Sequence, residues 1–137
     1  GKNVVVTPHA GEFKKMFGEA PPESKKARIT MVAKFAKKYS ITILLKGPTD
    51  IISDGGKTYL NPTNTPGMTV GGTGDILSGI IAGMLARNRD ALESAVISAY
   101  FNGLAGKMAQ KKLGHHITAT DLLDVLPSVM KSFDKIK

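Results

Sequence analysis

The sequence predicts an α/β protein in which parallel strands are joined to a β-hairpin and followed by three helices. Three observations carry this expectation. Two short apolar runs, Val4-Val5-Val6 and Ile41-Thr42-Ile43-Leu44-Leu45, flank a segment with helical spacing. Two further β-prone runs close on a Gly-containing turn, and the C-terminal part is helical in pattern throughout. Continuous apolar runs bounded by turn residues mark strands buried on both faces, and a strand–helix–strand order marks a parallel pair.

The elements follow in order. Val4-Val5-Val6 is stopped by Thr7-Pro8, and residues 11–17 form a short helix closed by Gly18. Pro21-Pro22 breaks the chain. Ile29, Val32, Ala36 and Tyr39 then repeat at helical spacing with lysines opposite, up to Ser40. The strand at 41–45 ends on Lys46-Gly47-Pro48. Residues 50–53 and 57–60 flank Asp54-Gly55-Gly56 and read as a hairpin. Residues 61–74 read as loop. A helix is predicted from Asp75 through Ile76, Leu77, Ile80, Ile81, Met84 and Leu85, and a second spans residues 91–112. In the second, Gly103 and Gly106 lower helix propensity and point to close packing against another backbone. A third follows Thr118, where Pro127 is expected to break or kink it. Two parallel strands and a hairpin offer little sheet for so many apolar helices. A further N-terminal segment or a partner chain is therefore expected to complete the sheet.

Composition narrows the function classes. The chain has 137 residues, no cysteine and a formal charge of +8, with 42% hydrophobic and 22% charged residues. It reads as one globular unit, without disulfides or thiolate metal sites. No apolar run is long enough to cross a bilayer, and a cytoplasmic setting is expected. Lysines cluster at 14–15, 25–26, 34–38, 107–112 and 131–137, beside helical patterns, as on solvated helix faces. Nothing interleaves aromatic with basic residues, so nucleic-acid binding is not expected. His115-His116 has no partner at metal-ligand spacing and reads as a loop entering the last helix.

Three loops offer chemistry. Val70-Gly71-Gly72-Thr73-Gly74-Asp75 runs straight into a helix. Unpaired N–H groups at a helix start attract phosphate, and Asp75 in that first turn could take the proton of an attacking hydroxyl. Thr7-Pro8-His9-Ala10-Gly11-Glu12 follows the first strand, and Leu45-Lys46-Gly47-Pro48-Thr49-Asp50 follows the second. Ligands of parallel α/β sheets gather at such strand ends.

Thr7-Pro8-His9-Ala10-Gly11-Glu12, Leu45-Lys46-Gly47-Pro48, residues 64–79 and residues 117–123 occur together and in this order. The set resembles the ADP- or ATP-dependent NAD(P)H-hydrate dehydratases, a branch of the ribokinase-like fold. The resemblance covers nearly the whole chain. It implies the C-terminal half of a three-layer α/β/α catalytic domain whose N-terminal half, with further strands and part of the substrate pocket, is apparently absent. It implies repair of hydrated NADH or NADPH, a hydro-lyase activity driven by ADP or ATP with Mg²⁺. The isolated segment need not retain that activity, and a homo-oligomer is expected. By matching positions, Asp75 is the base on the substrate hydroxyl, and Gly72, Thr73 and Gly74 form the anion hole. His9, with Asp75, contacts the hydrate. Lys46, Gly47, Pro48, Thr49 and Asp50, with Gly74, edge the adenine nucleotide, and Glu12 stands near the metal. Two other readings remain open at this point: a small-molecule kinase of the same fold, and a half-domain without activity that docks with another chain.

Overall fold

The protein was described from a computed structural model, which covers residues 3–87 and 89–134. Lys135 and Lys137 of the last lysine cluster lie outside the described residues. One four-stranded sheet runs in the order β1 (Val5–Val6), β2 (Thr42–Leu45), β3 (Asp50–Ser53), β4 (Thr58–Asn61). β1 and β2 are parallel, joined through α1 (Ala10–Phe17) and α2 (Lys25–Tyr39). β2, β3 and β4 form an antiparallel meander. The hairpin expected at 50–60 is thus β3–β4, and the turn at 46–49 makes a second antiparallel connection.

Strand alternation builds two cores. Ile43, Leu45 and Ile51 point to one face, where they meet Phe13 of α1 and Val32, Phe35 and Ala36 of α2. Leu44 and Ile52 point to the other and meet Leu77 and Ile81 of α3 (Thr73–Ala86) and Ala95 and Ala99 of α4 (Ala91–Leu113). Successive strand residues face opposite sides, so each buried run serves both layers. Full burial of each large side chain stabilises the sandwich by about 1.5–3 kcal/mol. The first face is aromatic, with Phe13, Phe17, Phe35 and Tyr39 in one edge-and-stack cluster. The second relies on alanine, which lets α4 approach the sheet closely.

Local chemistry sets the helix limits. His9 and Glu12 form a capping box on α1, and Ser24 caps α2 by accepting from the Ala27 N–H. Thr118 and Asp121 form a second capping box on α5 (Ala119–Lys131). Three expectations need correction. α3 starts at Thr73, two residues before Asp75, because Gly72 turns the chain at φ 93°. Residues 61–74 are not loop throughout, since Pro66–Thr69 form a 3₁₀ turn. Pro127 does not end α5, which continues to Lys131. Burial of Leu122 and Val129 on either side of the proline holds that helix on α4. α5 therefore packs on α4 and α3, outside the sheet layers. No helix among the described residues is long and apolar enough to cross a membrane.

Among the described residues, β1 lies at the edge of the sheet and pairs with β2 alone. The lysines of the described clusters are exposed along their helices.

Candidate functional site

The carboxyl ends of β1 and β2 and the start of α3 border one cleft of about 1290 Å³. It is lined by His9 and Glu12 on one side, Lys46, Gly47, Pro48 and Asp50 on another, and residues 71–75 on a third. Of the residues singled out in the sequence, only Thr49 is missing from the lining. It occupies the turn between β2 and β3.

The α3 wall is open. α3 has no side-chain cap, and its first backbone bonds run from the Asp75 and Ile76 N–H groups to the Gly72 carbonyl. Thr73 and Gly74 therefore keep N–H groups that the helix does not use. The turn itself is held from below. Thr73 is buried, and its hydroxyl sits 2.9 Å from the Met68 carbonyl and 3.1 Å from that of Val70. Gly72 could not be replaced freely, because a β-carbon there would lie 2.9 Å from Ala119 Cβ in addition to the positive φ. Asp75 stands exposed in the first turn. The Ser78 hydroxyl, one turn further, donates to the Gly74 carbonyl and lies 3.3 Å from the Thr7 hydroxyl, which ties α3 to the end of β1.

The α1 wall is a linked triad of His9, Glu12 and Lys46. His9 Nδ1 accepts the N–H groups of Gly11 and Glu12 at 3.1 and 3.2 Å, which assigns the ring proton of the neutral imidazole to Nε2. The Glu12 carboxylate accepts the His9 backbone N–H at 2.8 Å. It also lies 3.4 Å from His9 Nε2 and 3.5 Å from Lys46 Nζ. The bond from His9 N–H lowers the Glu12 pKa; desolvation opposes it, and the positive charge of Lys46 adds to the lowering. Glu12 is therefore a carboxylate that aligns one histidine and one lysine. Lys46 reaches across to the third wall, its Nζ 3.0 Å from where a β-carbon of residue 74 would be.

Asp50 is the buried member of the site, only 3% exposed. Its Oδ1 accepts the Gly47 N–H at 3.1 Å and its Oδ2 accepts from Asn61 Nδ2 at 3.0 Å. Desolvation raises its pKa, opposed by the bonds from Asn61, Asn64 and Gly47. Asn61 Nδ2 also donates to the Ala99 carbonyl and Asn64 Nδ2 to that of Gly47. The acid at the end of the Lys-Gly loop thus shapes that loop from within.

Sequence reasoning missed Asn61, Asn64 and Asn102. The first two sit in a segment read as plain loop. Asn102 lines the cleft from α4. One signal pointed to it, a carboxamide on the same helical face as the small residues of α4.

No group of three or more His, Cys, Asp or Glu side chains among the described residues could enclose a metal ion. His115 and His116 are exposed, outside the cleft lining. An ion here would have to be carried by phosphates and waters, with Glu12 as the nearby negative charge, which is the way Mg²⁺ prefers to bind.

Helices on both faces of a sheet whose strand ends border this cleft, with the structural likenesses given below, place the chain in the ribokinase-like class of folds. Within that class the chain belongs to the NAD(P)H-hydrate dehydratase family, whose model matches residues 1–128. It is 63% identical over 137 residues to the ADP-dependent (S)-NAD(P)H-hydrate dehydratase of Cenarchaeum symbiosum, covering 100% of this chain and 48% of that protein. It is 50% identical over 130 residues to a bifunctional NAD(P)H-hydrate repair enzyme of Pyrobaculum aerophilum, covering 95% of this chain and 26% of that one. Among solved structures, the ADP/ATP-dependent NAD(P)H-hydrate dehydratase of Bacillus subtilis, co-crystallized with ATP/Mg²⁺, superposes with a TM-score of 0.88 at 34% identity, over 96% of this chain and 48% of that one. A ribokinase-like superfamily protein of Enterococcus faecalis superposes with a TM-score of 0.79 at 30% identity, over 98% of this chain and 46% of that one. The chain spans about half the length, or less, of the relatives it matches.

Proposed function

We propose that the complete protein carrying this segment removes water from hydrated NADH or NADPH, using ADP or ATP as phosphoryl donor. The observation that supports this most directly is the convergence of His9, Lys46 and the Gly72–Asp75 turn on one cleft. In this reading Asp75 takes the proton of the substrate hydroxyl as its oxygen attacks the terminal phosphorus. The bond from that phosphorus to the nucleotide breaks, and the nucleotide leaves one phosphoryl shorter. The free N–H groups at the α3 start bond the phosphoryl oxygens as negative charge develops there. The C–O bond of the phosphorylated hydrate then breaks, assisted by the lone pair of the ring nitrogen. Phosphate departs, and loss of a proton restores the ring double bond.

In the same reading His9, which lines the cleft with Asp75 and carries its ring proton on Nε2, contacts the hydrate. Lys46 and the 47–50 turn edge the nucleotide, and Gly74 leaves room for Lys46 over the phosphate site. A Mg²⁺ carried by the phosphates would offset their charge and meet Glu12 through water.

The test is a coupled assay on the complete protein with hydrated NADH and either ADP or ATP. Recovery of the reduced-nicotinamide absorbance, with release of inorganic phosphate, supports the reading. Absence of recovery with both nucleotides overturns it. Accumulation of a phosphorylated alcohol without elimination would instead assign a small-molecule kinase.

A further inference from the structure

The turn that carries Lys46 has almost no backbone bonds of its own. Outside the strand ladders, residues 46–49 make one, from the Lys46 N–H to the Pro8 carbonyl at 2.8 Å. Pro48 has no N–H to give. Gly47 lies between Lys46 and Pro48, and a glycine backbone is the least restricted of all. Such a turn needs partners from elsewhere to keep one shape. Both polar groups of Gly47 are taken by side chains. Its N–H donates to Asp50 Oδ1 at 3.1 Å, and its carbonyl accepts from Asn64 Nδ2 at 2.9 Å. The two partners differ in setting. Asp50 is buried and bonds Asn61 inside the fold, whereas Asn64 is half-buried and lines the cleft itself.

Asn64 stands on a fixed base. Thr63, the residue before it, is buried and donates to Asn61 Oδ1 at 2.7 Å. It packs so closely on α4 that a β-carbon on Gly103 would overlap its hydroxyl. Asn61 Nδ2 donates in turn to the Ala99 carbonyl of α4 at 3.1 Å. The Asn64 amide therefore carries the fixed position of α4 to the Gly47 carbonyl. On the other side of Gly47, Lys46 Nζ lies 3.5 Å from the Glu12 carboxylate and 3.0 Å from where a β-carbon of residue 74 would be. The ammonium is thus held over the α3 start. Release of the Gly47 carbonyl would let the turn pivot next to Lys46.

We infer that Asn64 is a positioning residue for the nucleotide: its amide holds the Gly47 carbonyl and so keeps Lys46 over the phosphate site. This rests on the reading of the cleft as a nucleotide site. In this role Asn64 touches the turn and not the nucleotide. A side chain that only fills space can be replaced by an apolar one of equal size, whereas a donor to a carbonyl cannot. A residue that acts through Lys46 has nothing left to act on once the ammonium is gone, so the two substitutions are coupled.

The experiment is equilibrium titration of the complete protein with ADP, for the wild type, Asn64→Leu, Asn64→Ala, Lys46→Met and the double variant of Asn64→Leu with Lys46→Met. Melting of each ADP-free protein accompanies it. Asn64→Leu, which keeps the size and loses the donor, and Asn64→Ala should weaken ADP alike, on the order of 10-fold. Lys46→Met should weaken it at least as much, and adding Asn64→Leu to it should change the affinity by less than about twofold. The melting temperatures of the two Asn64 variants should stay near that of the wild type, because the Asn61, Thr63 and Asp50 bonds remain. Asn64→Leu or Lys46→Met binding ADP as tightly as the wild type overturns the inference. So does an Asn64→Leu loss that is undiminished in the Lys46→Met background, which would put Asn64 against the nucleotide itself. A melting temperature that falls in step with the ADP affinity makes Asn64 a structural residue and overturns it as well. A wild type that binds no ADP overturns the cleft assignment and this inference with it, an outcome distinct from the others.

Discussion

The α3 wall of the cleft leaves its polar groups open, whereas the wall built from the 46–50 turn and the 61–64 segment bonds its own. On the first, Thr73 and Gly74 present N–H groups at an uncapped helix start, with Asp75 exposed beside them. On the second, Asp50, Asn61, Asn64 and Thr63 form a closed set of bonds at 2.7–3.1 Å that reaches the Gly47 backbone and the Ala99 carbonyl. The contrast is physical. Groups that bind an anion must be unpaired beforehand but fixed in place, and a wall that only shapes the cleft gains rigidity from being fully paired. The first wall is accordingly fixed from behind, by the Thr73 hydroxyl and the Ser78–Thr7 contact, and not by bonds to the groups that face the cleft.

The largest effect expected on the braced wall comes from Gly103→Ala. Its β-carbon would overlap Thr63, and an overlap this deep should reach the upper end of the usual overpacking range, about 3 kcal/mol. Chemical denaturation of the complete protein measures it, and a loss near zero would show that the 61–64 segment yields freely.

Asp50→Leu should cost less, about 1–3 kcal/mol, because the Gly47 N–H and the Asn61 amide would lose their acceptor. Asp50→Asn keeps an acceptor and sheds a buried charge, so it should be milder. Its pH dependence separates the two effects. Burial raises the folded-state pKa of Asp50, so the native state holds a proton that the unfolded state has released. Stability from this group is greatest at low pH and declines as pH rises from the ordinary aspartate value through the raised one. Asp50→Asn should remove that decline, and an unaltered slope of stability against pH would contradict it.

Much of this was legible in the sequence, for reasons that differ by element. Val4-Val5-Val6 and residues 41–45 announced buried strands because both faces of each are covered. The Gly71–Asp75 run was legible as the start of a helix, which the structure places on the border of the cleft. The Asp50 bonds were not legible, since its partners lie 3, 11 and 14 residues away across a segment without periodicity. A break at Pro127 was expected and does not occur, because the local penalty is outweighed by burial of Leu122 and Val129 against α4.

The smallest stability effect belongs to the α1 wall, at Glu12. The bond from His9 N–H and the charge of Lys46 lower its pKa. Glu12 therefore contributes stability that is present above the ordinary glutamate value and lost as pH falls through the lowered one. The melting temperature of Glu12→Gln should lie slightly below that of the wild type at neutral pH, and the gap should close in acid. A gap that persists in acid would mean the carboxylate charge is not what holds His9 and Lys46.

The open wall makes one demand that the braced wall does not, a base placed beside a bound phosphoryl. Asp75→Asn in the complete protein tests it. The side chain keeps its size and the N–H groups of Thr73 and Gly74 stay in place, so ADP or ATP affinity should be unchanged. Turnover of the hydrated cofactor should fall by roughly 10²–10⁴-fold, the usual contribution of a positioned base. Full turnover in that variant, or a loss of nucleotide affinity equal to the loss of turnover, would contradict Asp75 as the base.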